Sequence, residues 1–168
     1  HTFCGTGRVD FAAVAASSAT PPRLVLAGGV TAAVTELGGV DWTVRAGGKV
    51  ALLPQNDITT GRPLTVRPLG ELTVDGDHCL TVAKPLVMGV AAKMVKKGAG
   101  TLALASGANT LAEASAIDVL SGAFAWTADL TIPRLAVAPG ATLRAGAAAL
   151  TVTESLSVDG ATVVWAGP

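Results

Sequence analysis

Residues 64–82 read LTVRPLGELTVDGDHCLTV and contain the triplet Leu-Thr-Val three times, beginning at Leu64, Leu72 and Leu80. The three starts are eight residues apart. In a β-strand the outer residues of such a triplet face one side and the middle residue faces the other. The segment therefore predicts short strands that turn Leu and Val inward and Thr outward.

Related triplets continue through the second half of the chain, where Leu, Ile or Val again flank a small residue. The predicted inward set is Leu64, Val66, Leu72, Val74, Leu80, Val82, Leu102, Leu104, Leu135, Val137, Leu150, Val152, Leu156 and Val158. The predicted outward set is Thr65, Thr73, Thr81, Ala103, Ala136, Thr151 and Ser157. Because a slip of one residue would reverse every face, this assignment is a sharp prediction.

Strands this short, joined by a few turn residues, suit a parallel β-helix in which three strands make one coil. The separation of Leu130 and Leu150, and of Leu135 and Leu156, predicts coils of about 20–22 residues. Glycine pairs such as Gly47-Gly48 supply the backbone conformations that sharp corners need. The alternative is a β-sandwich or jelly roll, which also has many short strands separated by turns.

Composition narrows the class of protein. Lys plus Arg and Asp plus Glu both number 12, so the formal net charge is zero, and charged residues are only 14% of the chain. We expect no nucleic-acid partner, because such partners select a basic surface. No apolar run approaches the roughly 20 residues of a spanning helix, so we expect no membrane insertion. Low charge also opposes self-association only weakly.

The chain divides by composition near Pro21-Pro22. Residues 1–22 are predicted to be an N-terminal cap or a segment donated to a neighbour, and residues 23–168 the solenoid body. Cys4 and Cys79 are far apart and lack metal-type spacing. In an exported protein we expect them to form a structural disulfide.

Residues 97–110 read KGAGTLALASGANT. This stretch resembles the passenger-associated transport repeat of autotransporter-like bacterial surface proteins, in which a Lys-x-Gly-x-Gly-Thr-Leu-x-Leu segment precedes a Gly-x-Asn-Thr turn. The matching positions are Gly98, Gly100, Thr101, Leu102, Leu104, Gly107, Asn109 and Thr110. This chain has one extra residue before Gly107, and Leu111-Ala112 replaces the aromatic residue and glycine turn common there. The resemblance implies a right-handed parallel β-helix outside a bacterial cell and implies no activity.

Reactive side chains form no catalytic constellation in the sequence, so we expect no catalytic, cofactor-binding or metal-binding residue. The acidic stretch Asp75-Gly-Asp77 before His78 is typical of a solvated turn between strands. The basic run Lys93, Lys96 and Lys97 is interpreted as a solvated face or as a gatekeeper of the adjacent strand. Packing in the core or on its flank is expected for Trp42, Trp126 and Trp165.

The expected function is an extracellular or cell-surface structural protein, a self-associating subunit of a bacterial-type fibre, filament or adhesin stalk. Its partner is a second copy, bound end to end through Val163, Val164 and Trp165. Surface glycans or other cell-surface proteins are further candidate partners. The alternative is a carbohydrate-active or carbohydrate-binding module, including a copper monooxygenase whose histidine brace would be His1 and His78.

Overall fold

The computed structural model of the protein describes residues 2–11, 23–37 and 39–165. In these residues the chain winds into a parallel β-solenoid of about seven turns without helices. The prediction of a parallel β-helix is confirmed, and the alternative of a β-sandwich is wrong, because every strand pair is parallel. No helix in the described part is long and apolar enough to cross a membrane.

Three parallel sheets form the sides of the solenoid. A coil contributes at most one strand to each sheet, and some coils lack a strand in one of them. Sheet A contains β1 (Thr2–Phe3), β3 (Arg23–Leu26), β5 (Asp41–Val44), β8 (Leu64–Val66), β11 (Leu86–Met88) and β14 (Thr110–Leu111). Sheet B contains β2 (Thr6–Phe11), β4 (Gly29–Val34), β6 (Lys49–Pro54), β9 (Glu71–Val74), β12 (Lys93–Lys96), β15 (Ala116–Val119), β17 (Leu130–Val137) and β19 (Leu150–Val158). Sheet C contains β7 (Ile58–Thr59), β10 (Leu80–Val82), β13 (Thr101–Leu104), β16 (Ala123–Trp126), β18 (Thr142–Ala145) and β20 (Thr162–Trp165).

We number the coils by their strands. Coils 1 and 2 contain β1–β2 and β3–β4, coils 3 to 6 contain β5–β7, β8–β10, β11–β13 and β14–β16, coil 7 contains β17–β18, and the last coil contains β19–β20. Pairing of Leu64 with Leu86 sets a coil of 22 residues in the middle of the stack. Elsewhere the step varies from 18 residues, between Val25 and Thr43, to 23, between Thr2 and Val25. The predicted 20–22 residues thus hold from coil 3 to coil 5 and again between the last two coils, where Leu130 pairs with Leu150 and Leu135 with Leu156.

The triplet phase is confirmed. Ten of the predicted inward residues are buried, namely Leu64, Val66, Leu72, Val74, Leu80, Val82, Leu102, Leu104, Leu135 and Val137. None of the predicted outward residues is buried. The exceptions lie in the last coil, where Leu150 and Val152 are half-buried and Leu156 and Val158 are exposed. They face inward as predicted, but no described coil lies above them.

The N-terminal residues begin the same stack. β1 pairs with β3 and β2 pairs with β4, so residues 2–11 form coil 1 in the structure. This part of the predicted cap or donated segment therefore pairs within its own chain. The rest of that segment, residues 12–22, lies outside the described residues.

Tight turns at the corner between sheets A and B lie one above another. In four successive coils an amide donates to the carbonyl three residues earlier: Gly48 to Arg45, Gly70 to Arg67, Ala92 to Gly89 and Ser115 to Ala112. The third residue of each turn has a left-handed backbone, and these residues are Gly47, Leu69, Ala91 and Ala114, with φ of 67°, 59°, 53° and 58°. Three non-glycine residues accept this conformation because the turns above and below fix the corner.

Candidate functional site

In the part of the chain that the structure describes, the C-terminal end of the solenoid is an uncovered section through its core. In the last coil the inward residues Leu156 and Trp165 are 58% and 73% exposed. Their partners one coil earlier, Leu135 and Ala145, are 1% and 2% exposed. The same backbone position therefore changes from buried to exposed solely because nothing described lies above it.

The uncovered end is concave. A cavity of about 400 Å³ opens between the last two turns of sheet C and the connection that follows β18. Its lining is almost entirely apolar and includes Trp126, Leu143, Ala145, Ala148, Leu150, Val163 and Trp165. The Trp126 indole donates a hydrogen bond to the carbonyl of Ala148 at 3.0 Å, which holds the connecting segment at the rim. The end thus combines an open strand edge with an apolar recess.

The last coil is held in place although it is exposed. β19 pairs along nearly its whole length with β17, and the register shifts once, between Ile132 and Arg134. The Glu154 carboxylate accepts hydrogen bonds from the Ala114 amide at 2.9 Å and from Arg134 Nε at 2.8 Å. These bonds, with the backbone amide first, lower the pKa of Glu154. Because Ala114 belongs to coil 6, the carboxylate also connects β19 to a coil two levels down.

The three predicted assembly residues divide between two faces of β20. Val163 and Trp165 pair with buried Leu143 and Ala145 and face the core, whereas Val164 pairs with exposed Arg144 and faces outward on sheet C. All three side chains are exposed: Val163 is 45%, Val164 is 47% and Trp165 is 73% exposed. The expectation of packing is confirmed for Trp42 and Trp126, each 4% exposed, and is wrong for Trp165.

The predicted Cys4–Cys79 disulfide is wrong. Both cysteines are free thiols. Cys4 lies between β1 and β2 in coil 1, and Cys79 precedes β10 in coil 4. Three strand spacings of about 4.8 Å separate those levels by about 14 Å, and a disulfide needs Cα atoms within about 7 Å. An even cysteine count could not reveal this separation along the axis.

His78 lies at the corner between sheets B and C in coil 4. Its Nδ1 is 3.8 Å from Oδ1 of Asp57, and both side chains are largely exposed. No group of three or more His, Cys, Asp or Glu side chains with metal-binding geometry occurs in the part of the chain that the structure describes. His1, the other proposed copper ligand, lies outside the described residues. The copper brace therefore stays a prediction, and His78 lies beside the carboxylate of Asp57.

The same corner contains a buried cation that the sequence did not indicate. Lys96 occupies the inward position that Val74 and Val119 occupy in the neighbouring coils, and it is fully buried. Its ammonium donates to the carbonyls of Gly76, Lys97 and Gly98. The interpretation of the lysine run as a solvated face is therefore wrong for Lys96, whereas Lys97 is exposed and Lys93 pairs with Asp118 at 2.5 Å.

Burial lowers the pKa of this lysine. Desolvation is the largest cause, and the negative charges of Asp75, Asp77 and an ionised Cys79 oppose the shift. The corner is further fixed by carboxylates that bond to backbone: Asp57 accepts from the Cys79 amide at 2.7 Å, and Asp77 from the Ala99 amide at 3.2 Å. These acids therefore join one coil to the next, which is a structural task.

Comparisons of the chain with protein-family models, with curated proteins and with solved structures gave no match.

Proposed function

We propose that this protein is a structural subunit of an extracellular assembly, a fibre, filament or stalk of bacterial type, which grows by end-to-end association. The uncovered last coil carries the proposal, because residues in core positions are presented there to solvent. The resemblance of residues 97–110 to a surface-protein repeat supports an extracellular site, and the low charge of the chain opposes self-association only weakly. No catalytic step is part of this proposal.

The strand edges favour a particular geometry. Sheet B ends at one end of the solenoid with the nine-residue β19 and at the other with the six-residue β2, and all its strands run in the same direction. An unpaired edge recruits another strand unless something covers it. A second copy can continue this parallel ladder only by placing its β2 on β19, head to tail. Such an interface does not close on itself and produces a filament.

Side chains at the two ends suit that contact. The last coil offers Leu156, Val158 and Val163 in the inward phase, and coil 1 offers Phe3 and Val9, which are only partly buried. Full burial of one Leu, Val or Phe side chain contributes roughly 1.5–3 kcal/mol. Burial of this set is therefore large enough to offset a substantial part of the cost of association, about 4–15 kcal/mol.

Val163→Asp and Val164→Asp form a matched pair that tests the proposal. The two residues are adjacent in β20 and almost equally exposed, but only Val163 faces the core. We expect the unmodified protein to gain mass with concentration in sedimentation velocity or light scattering. Val163→Asp should reduce the association at least tenfold, because a second copy would bury its carboxylate, and Val164→Asp should have little effect.

Circular dichroism of both variants checks that the β-structure is retained. An unmodified protein that stays monomeric at every concentration contradicts the proposal. So does equal loss of association in both variants, because a contact through the outer face would then be responsible. In a longer chain, further coils could cover this end in place of a second copy. A protein extended by those coils would then stay monomeric.

A further inference from the structure

The outer face of sheet A in coils 4 and 5 is built from β-branched residues at its centre. Thr65 and Val87 pair with each other there as its central row and are half-buried, whereas Thr43, the partner of Thr65 in coil 3, is only 6% exposed and lies outside this open face. Pro63 and Pro85 precede this row at equivalent positions of β8 and β11. No aromatic side chain lies in the described rows of this face, and Trp42 of β5 is turned into the core, where it is 4% exposed.

Four cations flank this face, two along each side. Arg45 and Arg67 follow β5 and β8 two residues after the central row, so strand alternation places them on the outer side. They lie one above the other, since the Arg67 amide donates to the carbonyl of Val44. Arg62 and Lys84 precede β8 and β11 at the other side. Neighbouring cations along the axis are thus about 5 Å apart in backbone spacing, and the two sides are about 16 Å apart.

These cations are free, in contrast to several others. Lys49, Lys93 and Arg134 pair with Glu71, Asp118 and Glu154. Arg45, Arg62, Arg67 and Lys84 are exposed and, among the described residues, take part in no ion pair and no side-chain hydrogen bond. Asp41 of β5 lies in the same outward phase as Arg45, so four cations and one carboxylate give this face a local positive excess of three in a chain of zero net charge.

Three other acids lie on the opposite side of the coil. Asp57, Asp75 and Asp77 occupy the corner between sheets B and C, which faces away from sheet A in the three-sided cross-section. Each already accepts a backbone amide hydrogen bond. The acidic corner of a second copy is therefore a poor ligand for the cations, because its carboxylates are committed to their own fold.

We propose that this outer face of sheet A binds a linear polysaccharide bearing carboxylate or sulfate groups. The planar arginine fork matches both groups in a bidentate manner. A strand face with cations on both sides accommodates an extended chain that lies along it. Nucleic acid is a weaker fit, because single strands bind through bases stacked on aromatic side chains, and this face has none in the described rows. The site lies on the side of the solenoid and does not depend on association through its end.

The test measures binding of polygalacturonate and of dextran sulfate by calorimetry at low salt, with neutral dextran and single-stranded DNA for comparison. Arg62→Gln with Arg67→Gln removes two of the four cations. Lys97→Gln with Arg144→Gln is the matched control, because both residues are exposed, lie away from sheet A and change the net charge equally. We expect binding of at least one acidic polysaccharide, weaker as salt rises.

The Arg62/Arg67 variant should weaken that binding about tenfold and the control less than twofold. Which polymer binds distinguishes carboxylate from sulfate as the recognised group. The proposal is overturned if neither acidic polymer binds, if DNA binds as tightly, or if both variants weaken binding equally. It is also overturned if the Arg62/Arg67 variant changes only the mass in solution, since the cations would then contact a second copy.

Discussion

At the scale of single residues, the corners of the solenoid contain the features that the sequence conceals. Leu69, Ala91 and Ala114 have left-handed backbones, which their side chains disfavour by about 1–2 kcal/mol each. Only Gly47, in the same stacked position, shows the residue type by which such a corner is normally recognised. Sequence patterns therefore locate corners with glycine and miss those in which neighbouring coils impose the conformation.

Ser115 offers a test of a buried polar atom. Its Oγ is buried and has no hydrogen-bond partner among the described residues. An unsatisfied buried hydroxyl costs on the order of 1–3 kcal/mol. We expect Ser115→Ala to raise the free energy of unfolding by about 1 kcal/mol, measured by urea denaturation. Ser121→Ala, which removes a hydrogen bond from Ser121 Oγ to the Gly98 carbonyl, should lower it. Destabilisation by Ser115→Ala would show that the hydroxyl has a favourable role.

Lys96 predicts a dependence of stability on alkaline pH. Because its pKa is lower in the folded protein than its ordinary value of 10.5, the buried ammonium is a cost below the folded pKa. That cost is removed as the pH rises through the folded pKa towards 10.5. The free energy of unfolding of the unmodified protein should therefore rise, relative to Lys96→Met, over this interval.

Urea denaturation of both proteins between pH 7 and pH 10.5 measures that difference, and other titrating groups cancel in it. Lys93→Met, at an outward position of the same strand, controls for the loss of one positive charge. A difference between the unmodified protein and Lys96→Met that stays constant with pH would contradict the argument.

At the scale of elements, the Leu-Thr-Val triplets determined much of what could be predicted. Their alternation identified the strands and their inward faces, because the period of two leaves a single choice of phase. Burial in the last coil could not be predicted from the same pattern, because Leu156 and Leu135 have equivalent positions in the strand and differ only in what covers them. The cysteine pairing failed for a related reason, since sequence separation does not give the number of coils between two residues.

Glycines at the corner between sheets B and C permit close stacking of the coils. A Cβ added to Gly100 would lie 2.1 Å from the carbonyl oxygen of His78, whereas one added to Gly47 would have no atom within 4 Å. We expect Gly100→Ala to lower the free energy of unfolding by about 3 kcal/mol. Gly47→Ala, which changes only the preference for a left-handed backbone, should lower it by about 1 kcal/mol. Thermal or urea denaturation compares the two, and equal effects would mean that the coils can separate at little cost.

At the scale of the whole molecule, contacts run between neighbouring coils. Each coil pairs with the one before and the one after, and the strands of the last coil pair on one side only among the described residues. The two proposed surfaces lie on different parts of the stack of coils. The end exposes residues in core positions, and the outer face of sheet A exposes free cations. The end was predicted from the sequence at Val163, Val164 and Trp165, whereas the surface on sheet A was not. The clustering of cations on sheet A becomes visible only when each residue is assigned to its coil, because a net charge of zero hides it. The residues concerned are Arg45, Arg62, Arg67 and Lys84.

The equal step of the central coils has a genetic consequence. Leu64 pairs with Leu86, and a proline precedes both residues. An in-frame loss of the codons for residues 64–85 would join Pro63 to Leu86 and recreate the junction that Pro85 and Leu86 already make. Duplication of the same codons would insert one more coil with its corners intact. Unequal recombination could therefore shorten or lengthen such a molecule by whole coils, and the gene could adjust the reach of the protein without altering either of its ends.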